Sequence, residues 1–571
     1  MARKSVVIRL AGESGEGVIS SGDILTQAAA RRGYWTQTFR TYPAEIKGGP
    51  CMYQVRIGEE HIHSHGKWVD LLVCFNQEAW DLQHEALHPD GVILYDDAAC
   101  EIPAEYLPRA RPVRMDRLAK ELGGSTRAKN MVAVGAVSAV ISFDTTPIEE
   151  FVLRRFAHKQ GVADANIAAL KAGADEAADL AGALAITDAV ETDEDRILIS
   201  GNQAISVGAV AAGVDYFGGY PITPASDILE WLSARLPGVG GITIQCEDEI
   251  ASLSSVIGAS FTGARAMTAT SGPGLSLMTE LLGYAGMAEI PCVIVDAQRG
   301  GPSTGLPTKT EQSDLEHALY GGHGESPRVV MAPVSVEDCF WTTVDAFNYA
   351  ERFQVPVIIL TDQGLATRLE VITRPDESKV ERWPRKTSAG VPPEEYRRYE
   401  LTDDGISPMG VPGEDGGQYV ATGISHDEYG HPAYTPDIVV PMHKKHWAKL
   451  EPLRNGLVRH ARHGEAEPEI AIVGFGSTFG PVWEAIDLLA AEGHSIGAFY
   501  PRVLGPFPVD AVKAFTARAT RVIVPEVNFT GQLARLIRAE VGIHVESHAK
   551  CDGLPFTAED IHDIVTQGAP Q

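Results

Sequence analysis

Strands and helices alternate along the middle of the chain. The segments 196–232 (RILISGNQ…DILEWL) and 241–308 (GITIQCED…STGLPT) each follow the order strand, turn, helix, strand, turn, helix. This alternation predicts a parallel sheet covered by helices on both faces. Ligands of such sheets bind beyond the carboxyl ends of the strands. The residues expected at those ends are Thr223, Glu247, Glu249, the turn 271–274 and the loop 299–305.

The first third of the chain predicts another α/β domain. Residues 5–11 form an expected strand, the glycine turn GESGEG follows at 12–17, and the next helix ends at Gly33. This arrangement directs backbone N–H groups at one point, which suits an anion. The order G-x-x-G-x-G, with no acidic residue after the next strand, argues against a dinucleotide site. An anionic ligand, an interface and a plain tight turn stay open.

Composition divides the chain into segments of different character. The acidic, aperiodic run ITDAVETDEDR predicts a linker. The stretch that follows residue 366 is rich in proline, glycine and charge. Because a structureless loop of about 80 residues is unusual in a compact protein, we expect this stretch to be ordered and to pack on partner subunits. The predicted segments are 1–185, the linker 186–196, 197–366, the excursion 367–455, and 456–571.

Charge and cysteine content exclude several classes of function. The 571 residues carry a formal net charge of −28, which argues against a nucleic-acid groove. The seven cysteines lie far apart with no C-x-x-C pair, so the chain lacks the local spacing of an iron–sulfur or structural zinc site. This cysteine usage is typical of cytoplasmic proteins. Apolar runs are short, so we expect neither a membrane span nor a signal peptide.

Three positions at the predicted strand ends are candidates for a catalytic or binding role. Two prolines stiffen the turn 220–224 and hold Thr223 at the start of a helix. Glu249 begins a helix of small apolar residues, where it is either a helix N-terminal acid or a carboxylate that transfers protons in a dry crevice. Arg299 lies in a glycine-rich loop and is either a surface arginine or a two-hydrogen-bond ligand for a carboxylate.

The motifs GYPITPASDI, EDEIASLSSVIGAS, TATSGPGLSLMTE and QRGGPSTGLPTKTEQSDL resemble the α subunits of 2-oxoacid:ferredoxin oxidoreductases. The first third, with GESGEGVISSGDIL and IKGGP, resembles the γ subunit of these enzymes, although the family's usual turn is G-x-G-G-Q-G. The segment 471–538 resembles the family's transketolase C-terminal-like domain. The resemblance thus implies an α/β chain of several doubly wound, mostly parallel sheet domains: a γ-type domain, a thiamine pyrimidine-binding-type domain and a transketolase C-terminal-like domain.

The resemblance also implies roles for the three positions. Thr223 is expected to hydrogen-bond the 2-oxoacid or its adduct at the thiamine diphosphate site, and Arg299 to bind the substrate carboxylate. Glu249 is expected beside the aminopyrimidine ring, where a carboxylate promotes the imino form that removes the C2 proton. The residues that the resemblance implies in cofactor binding are Tyr220, Pro221, Ile222, Glu249, Ser271 and Gly272.

The resemblance also implies a partner subunit, because two features of the family are missing from this sequence. The chain has no G-D-G…N-N segment for a metal-bound diphosphate and no cysteine cluster. In the family both belong to the β subunit, which holds Mg²⁺ and a [4Fe-4S] cluster. We therefore expect an αβ unit, doubled into (αβ)2, that passes electrons to ferredoxin. The chain alone is expected to have no thiamine-dependent activity.

The expected substrate is 2-oxoglutarate, because a fused γ–α chain with a separate β subunit is typical of 2-oxoglutarate oxidoreductases. The reaction would join coenzyme A to the acyl group, giving succinyl-CoA and CO2, or run in reverse. Pyruvate and branched-chain 2-oxoacids stay open as alternatives. A second substrate carboxylate would need another cation, for which Lys47, Arg40 and Lys309 are candidates; each is otherwise a solvated surface charge.

Two other classes of function stay open. The chain could be a non-catalytic assembly subunit with the same fold, but the co-occurrence of Thr223, Glu249 and Arg299 argues against this. It could also be a self-contained thiamine decarboxylase or transketolase, which the missing diphosphate motif argues against.

Two groups of histidines have spacings that a metal could use. The run HIHSHGK places His61, His63 and His65 on one face of an expected strand, and HDEYGH lies at 426–431. We predict no metal at either, because alternating histidines of this kind are more often exposed residues near turns.

Overall fold

The computed structural model describes residues 3–43, 48–190 and 192–567. These residues form two compact units. The first contains the chain up to Ile199, with Arg368–Arg374 and Thr557–Glu559; the second contains Ser200–Thr367, Pro375–Phe556 and the chain from Asp560. Every helix in the described ranges is too short or too polar to cross a membrane.

Strands and helices alternate in the first third of the chain, with short 3₁₀ turns between some of them. In chain order the elements are β1 (Ser5–Glu13), α1 (Val18–Arg31), β2 (Trp35–Thr41), β3 (Pro50–Gly58), β4 (Val69–Cys74), α2 (Gln77–Gln83), β5 (Leu87–Asp96), β6 (Ala110–Val113), α3 (Met115–Gly123), α4 (Lys129–Val140), α5 (Thr146–Arg155), α6 (Gln160–Glu176) and β7 (Arg196–Ser200).

The middle of the chain continues this alternation. Its elements are α7 (Gly201–Ala211), β8 (Tyr216–Gly219), α8 (Ser226–Arg235), β9 (Ile242–Gln245), α9 (Glu249–Phe261), β10 (Ala266–Thr270), α10 (Gly272–Met287), β11 (Cys292–Gln298), α11 (Leu315–Tyr320), β12 (Val329–Met331), α12 (Val336–Phe353), β13 (Pro356–Asp362), α13 (Gln363–Ala366) and β14 (Leu369–Thr373).

The last part of the chain begins with a long irregular segment that ends at a helix. The elements that follow are α14 (Pro436–Ala448), α15 (Glu451–Arg454), β15 (Ala461–Gly464), β16 (Ile470–Val473), α16 (Phe479–Ala491), β17 (Ile496–Tyr500), β18 (Val503–Gly505), α17 (Val509–Thr516), β19 (Arg521–Glu526), α18 (Gln532–Glu540), β20 (Glu546–Ala549) and α19 (Ala558–Gln567).

The first unit is built on a mixed sheet with the strand order β6-β5-β4-β1-β3-β2-β14-β7. Strand β1 is parallel to β4 and antiparallel to β3, which in turn is antiparallel to β2. Helices α1, α4 and α6 pack on one face of this sheet and α2 on the other. The first unit therefore has the expected α/β class, with an antiparallel half that the sequence pattern does not reveal.

Strand β14 joins the first sheet from far along the chain. The backbone N–H of Leu369 donates to Thr38 Oγ1 at 2.9 Å, and Gln37 Nε2 donates to Glu370 Oε2 at 3.3 Å. The sequence division places this strand in the excursion 367–455 and nearly all of β7 in 197–366. A short strand pattern does not show which sheet edge it will complete, because edge pairing is decided by residues distant in sequence.

The second unit contains the predicted parallel sheet, with the order β18-β12-β13-β11-β10-β8-β9. All these pairings are parallel except that of β12 with β18. The central strands β11 and β13 are buried along their whole length. Their near-continuous runs of apolar residues suit strands that are covered on both faces.

A smaller sheet, β15-β17-β16-β19-β20, lies in the same unit and is parallel except at β15. Its strands β16 and β19 and its helix α18 share one hydrophobic cluster with α9, α10 and β11. The smaller sheet and α18 are thus packed against α9, α10 and β11, which lie at the strand ends of the second sheet.

Buried charges hold the irregular segment 375–435 and helix α14 in place. Arg385 makes two hydrogen bonds to Glu351, at 2.8 and 2.9 Å. Arg398 is fully buried and donates to the Glu289 carbonyl at 2.7 Å. Lys449 of the turn after α14 donates to Glu289 Oε2 at 3.0 Å. The segment is anchored to the second unit as an ordered structure, while its packing on partner subunits stays a prediction.

Candidate active site

The carboxyl ends of neighbouring parallel strands bring the candidate residues to one edge of the second sheet. The turn 220–224 follows β8, Glu249 follows β9, Ser271 follows β10 and Arg299 follows β11. Strands β9, β8, β10 and β11 are adjacent in the sheet, so residues separated by up to 79 positions meet at this edge.

The turn 220–224 is held from beneath by two side chains. Arg299 Nη1 donates to the carbonyl oxygen of Thr223 at 2.6 Å, and Asn202 Nδ2 donates to the carbonyl oxygen of Pro224 at 2.8 Å. Tyr220, Pro221 and Thr223 are exposed, Ile222 is half-buried, and Pro224 is buried. The turn therefore presents the Thr223 side chain to solvent at the sheet edge, while its carbonyl is used internally.

Glu249 is buried, although it begins a helix. Its side chain is 6% exposed. The capping of α9 is done by the preceding residue, because Asp248 Oδ1 accepts from the Ala251 N–H at 2.7 Å. Glu249 is therefore not a solvent-facing acid at a helix end. Glu247, the other acid expected at this strand end, is exposed. Burial favours the interpretation in which the Glu249 carboxylate acts inside a crevice.

The glycine turn before α10 leaves room for this carboxylate. A methyl group on Gly274 would lie 2.6 Å from Glu249 Oε1, which no real packing allows, and it would also collide with the Thr270 hydroxyl. Ser271 is fully buried, and its hydroxyl has no hydrogen-bond partner in the described part of the chain. A small-residue cradle, a buried carboxylate and an unsatisfied hydroxyl thus meet at the N-terminus of α10.

Arg299 is a buried cation beside this cradle. Its side chain is 8% exposed, and its Nε has no hydrogen-bond partner among the residues described. Burial lowers the pKa of Arg299, while the carboxylates of Asp314 and Glu249 act in the opposite direction. Because arginine stays charged, its unsatisfied edge suits an anionic group with two oxygens, such as a carboxylate.

Family models match three successive parts of the chain. Residues 207–445 match the model described as pyruvate flavodoxin/ferredoxin oxidoreductase, thiamine diphosphate-binding. Residues 7–176 match pyruvate ferredoxin/flavodoxin oxidoreductase, and residues 468–561 match core domain II of pyruvate:ferredoxin oxidoreductase.

Relatives extend this match over the whole chain. The 2-oxoglutarate oxidoreductase subunit KorA of Mycobacterium tuberculosis is 34% identical over 98% of this chain and 90% of its own. Subunit alpha of 2-oxoacid:ferredoxin oxidoreductase 1 from Aeropyrum pernix is 34% identical over 99% of this chain and 98% of its own. This chain belongs to the alpha subunits of the 2-oxoacid:ferredoxin oxidoreductases. The predicted family and fold class are thereby confirmed.

A solved structure resembles this alpha subunit along its length. It is 2-oxoglutarate:ferredoxin oxidoreductase from Magnetococcus marinus with 2-oxoglutarate, coenzyme A and succinyl-CoA bound. The two are 43% identical, the match covers 99% of this chain and 100% of that one, and the TM-score is 0.94.

Two acidic residues for which the sequence offers no motif lie near Arg299. Asp296, on β11, is fully buried, and neither of its carboxyl oxygens has a hydrogen-bond partner in the described ranges. Burial and the nearby Asp314 raise its pKa well above the ordinary value. Burial and Glu311 raise the pKa of Asp314 to about 6, although Arg299 opposes this. The sequence signal that could have identified Asp296 is its position as an acidic residue inside the apolar run CVIVDAQ.

The cations considered for a second substrate carboxylate have different surroundings in this alpha subunit. Lys47 lies outside the described residues. Arg40 belongs to the first unit, where its guanidinium lies 3.8 Å from Asp23 Oδ1. Lys309 belongs to the second unit and packs beneath Gly553, where an added methyl group would lie 3.1 Å from its Cβ. Their role toward a substrate stays a prediction.

The histidines of HIHSHGK lie in a loop, so the expected strand face is wrong. Their rings pack on neighbours: His61 lies 4.4 Å from the ring centre of Trp35, and His65 lies 5.0 Å from that of Phe39. The alternating histidines resemble a strand pattern, but their side chains are positioned by packing between rings and not by pairing with another strand. His426 is fully buried against Tyr399. Residues 3–43, 48–190 and 192–567 contain no group of three or more His, Cys, Asp or Glu side chains arranged for a metal.

Proposed function

We propose that this chain is the subunit of an enzyme that oxidatively decarboxylates 2-oxoglutarate with coenzyme A. The products are succinyl-CoA and CO2, and the two electrons pass singly to ferredoxin. The observation that carries the proposal is the buried Glu249 beside Arg299 at the strand ends of the second sheet. It is supported by the similarity, over 99% of this chain, to the Magnetococcus marinus enzyme with 2-oxoglutarate, coenzyme A and succinyl-CoA bound.

The residues at this edge fit thiamine diphosphate. Glu249 offers a buried carboxylate, Gly274 leaves space beside it, and Ser271 has an unsatisfied hydroxyl. When bound, thiamine diphosphate supplies a carbon nucleophile for the 2-oxo carbon and accepts the electron pair released with CO2. Glu249 is the group of this chain that hydrogen-bonds the pyrimidine ring and moves a proton there, since a buried carboxylate holds its hydrogen-bond partner firmly.

Arg299 is the proposed ligand of the carboxylate next to the 2-oxo group. Its guanidinium is positioned by the Thr223 carbonyl at 2.6 Å, and its Nε stays available within the described chain. A cation fixed in this way orients the substrate, and orientation contributes to the rate because it removes freedom before the reaction begins. The Thr223 side chain, exposed at the same turn, is the proposed hydrogen-bond donor to the substrate oxygen.

The proposed enzyme needs a β subunit that supplies the Mg²⁺-bound diphosphate site and the [4Fe-4S] cluster. The edge of the second sheet nearest Glu249 suits such a partner. Strand β9 is an edge strand, and its side chains Ile242 and Ile244 are 56% and 45% exposed. Exposed apolar residues on an edge strand are typical of surfaces that another chain covers. Two αβ units then form the (αβ)2 enzyme.

The substrate is tested on the complex isolated through a tag on this chain. We expect it to reduce viologen with 2-oxoglutarate and coenzyme A, at a kcat/KM at least tenfold above that with pyruvate, since a missing substrate carboxylate leaves charged groups of the site unpaired. A preference for pyruvate or a branched-chain 2-oxoacid would keep the reaction and overturn the substrate. No turnover of any 2-oxoacid by a complex with bound β partner would support a non-catalytic assembly subunit instead.

A thiamine diphosphate titration of the isolated chain tests the need for the partner. The isolated chain has only half of the site, so we expect it to bind the cofactor at least 100-fold more weakly than the complex does, because the diphosphate contacts are absent. Equal affinity in the isolated chain would support a self-contained thiamine enzyme.

A further inference from the structure

The turn that carries Thr223 has few backbone donors with which to hold itself. Pro221 and Pro224 have no N–H group. The backbone hydrogen bond that closes the turn runs from the Ser226 N–H to the carbonyl oxygen of Ile222 at 3.0 Å. The next two carbonyl oxygens, those of Thr223 and Pro224, are bonded by side chains from other parts of the second unit. The position of the Thr223 side chain therefore depends on these side chains.

The two side chains that hold the turn differ in their access to a substrate. Arg299, which bonds the Thr223 carbonyl, is also the proposed ligand of the substrate carboxylate. Asn202 Nδ2 donates to the Pro224 carbonyl at 2.8 Å, and the Asn202 side chain has no exposed surface. Asn202 can therefore affect a substrate only through the turn.

Asn202 projects from a rigid helix start, as the second residue of α7. Ser200 Oγ accepts from the Gln203 N–H at 3.2 Å, and the Ser200 N–H donates to Gln203 Oε1 at 3.2 Å, which forms a capping box. A methyl group on Gly201 would lie 2.3 Å from the carbonyl oxygen of Leu365, so the helix start lies directly against the backbone of α13. The amide of Asn202 is thus held at a fixed base.

The hydrogen bonds of Asn202 are not those of a side chain that serves stability alone. Its Oδ1 is buried and has no hydrogen-bond partner in the described ranges. A buried acceptor without a partner costs free energy of the same order as the gain from one satisfied hydrogen bond. An apolar side chain at this position would avoid that cost but could not bond the Pro224 carbonyl. The donor to the turn is therefore the feature that distinguishes asparagine here.

We propose that Asn202 is a positioning residue for the 2-oxoacid, because its hold on the Pro224 carbonyl sets where the Thr223 hydroxyl meets the substrate oxygen. This inference rests on the proposed function, in which Thr223 donates a hydrogen bond to the substrate. Such a bond weakens steeply as its distance and angle depart from the optimum. A turn that relaxes when the Asn202 donor is removed therefore binds the substrate less well.

Asn202→Ala is expected to raise KM for 2-oxoglutarate about tenfold in the complex, while kcat changes less than about threefold and the thiamine diphosphate content stays full. Asn202→Leu keeps the branched shape without the N–H donor, and the same rise is expected. A merely structural role would reduce the active fraction, which lowers the apparent kcat and leaves KM unchanged. Failure of both variants to assemble into a complex would make Asn202 structural and overturn the inference.

Asn348→Ala is the matched control. Asn348 lies on α12, is 2% exposed, and donates through Nδ2 to the carbonyl oxygen of Glu381 at 2.9 Å. It is thus another buried asparagine that holds a backbone carbonyl, but the segment that it holds is 375–435 and not the turn. Asn348→Ala is expected to lower the melting temperature and to keep the wild-type KM. A KM rise equal to that of Asn202→Ala would contradict a specific effect at the turn.

A double-mutant cycle with Thr223→Val tests whether Asn202 acts through Thr223. Asn202→Ala is expected to change KM less than about twofold when Thr223→Val is already present, because the hydrogen bond that it misplaces is gone. A tenfold effect in both backgrounds overturns the inference.

The same cycle separates this inference from the proposed function. A KM rise in Thr223→Val with no change in Asn202→Ala overturns the inference and leaves the proposed function intact. An unchanged KM in Thr223→Val contradicts the substrate contact of Thr223 and the inference with it. A wild-type complex that turns over no 2-oxoacid overturns both.

Discussion

Arg299 Nη1 donates a hydrogen bond of 2.6 Å to the carbonyl oxygen of Thr223. This contact joins the loop after β11 to the turn after β8, across β10, which lies between them in the sheet. It fixes the direction of the guanidinium and, together with the hydrogen bond from Asn202 to the Pro224 carbonyl, holds the turn.

Arg299→Lys is expected to lower kcat/KM for 2-oxoglutarate about 10- to 100-fold, mainly through KM. A lysine keeps the charge but not the planar fork that bonds the turn and a carboxylate together, and a charged hydrogen bond contributes about 1.5–3 kcal/mol. Steady-state kinetics of the complex measure this. Arg235→Lys, an exposed position on α8, is the matched control. Unchanged kinetics in Arg299→Lys would remove Arg299 from substrate binding.

Gly274→Ala is expected to reduce turnover at least tenfold, because the new methyl group would displace the Glu249 carboxylate that it meets at 2.6 Å. Overpacking of this kind also lowers the free energy of unfolding by about 1–3 kcal/mol. Gly283→Ala in the same helix has nothing within 4 Å of the added group and should keep activity. Kinetics and thermal unfolding of both variants measure the contrast, and equal activity would contradict the crowding of Glu249.

Glu289→Gln is expected to destabilise the second unit by about 3–5 kcal/mol, because it leaves buried cations without their counter-charge. Glu289 is fully buried and forms ion pairs with Lys445 and, at 3.0 Å, with Lys449. Thermal unfolding measures the loss, with the exposed Glu280→Gln of α10 as control. A change of less than about 1 kcal/mol, the range of surface pairs, would contradict the anchoring role.

The buried ion pairs of Glu289 with Lys445 and Lys449 also predict that the stability of the fold depends on pH. Burial raises the pKa of Glu289, but the charges of Lys445 and Lys449 and the hydrogen bond with His446 lower it by more, so it lies well below the ordinary value. A lowered folded-state pKa stabilises the fold above the pKa of the unfolded chain, and this stabilisation is lost as the pH falls through the folded-state value. Wild type should therefore lose stability in acid more steeply than Glu289→Gln, which has no carboxyl group to protonate.

Ile244→Lys is expected to weaken assembly with the β subunit at least tenfold while the isolated chain keeps its melting temperature. The side chain is 45% exposed on the edge strand β9, so a charge there affects a covering chain more than the fold. Leu488→Lys, 51% exposed on α16, is the matched control. Co-purification and size-exclusion chromatography measure assembly. A stable complex with Ile244→Lys would place the partner elsewhere.

The parallel sheet of the second unit could be predicted because its strands and helices alternate locally. Once that sheet was expected, parallel geometry alone placed Glu249, Ser271 and Arg299 at one edge, since the carboxyl ends of adjacent strands share an edge. The sequence could not show that Thr223 uses its carbonyl toward Arg299, because a backbone contact leaves no mark on residue type.

Other features depend on pairing between distant segments. Strand β14 bonds to β2 across more than 300 residues, and no local pattern specifies that edge. Asp296 and Asp314 interact only in the fold, because neither belongs to a sequence motif that would join them. The loop around His61 was expected to be a strand because alternation of polar residues alone does not distinguish pairing from ring stacking.

The role of Glu249 is tested most directly by the turnover of the Glu249→Gln complex at full thiamine diphosphate content. We expect the variant to retain bound cofactor but to lose at least about 100-fold in kcat with 2-oxoglutarate and coenzyme A, because an amide cannot exchange the proton. Glu230→Gln, exposed on α8, should match wild type. Turnover within a few-fold of wild type in Glu249→Gln, with the cofactor fully bound, would contradict the central role assigned to this buried carboxylate.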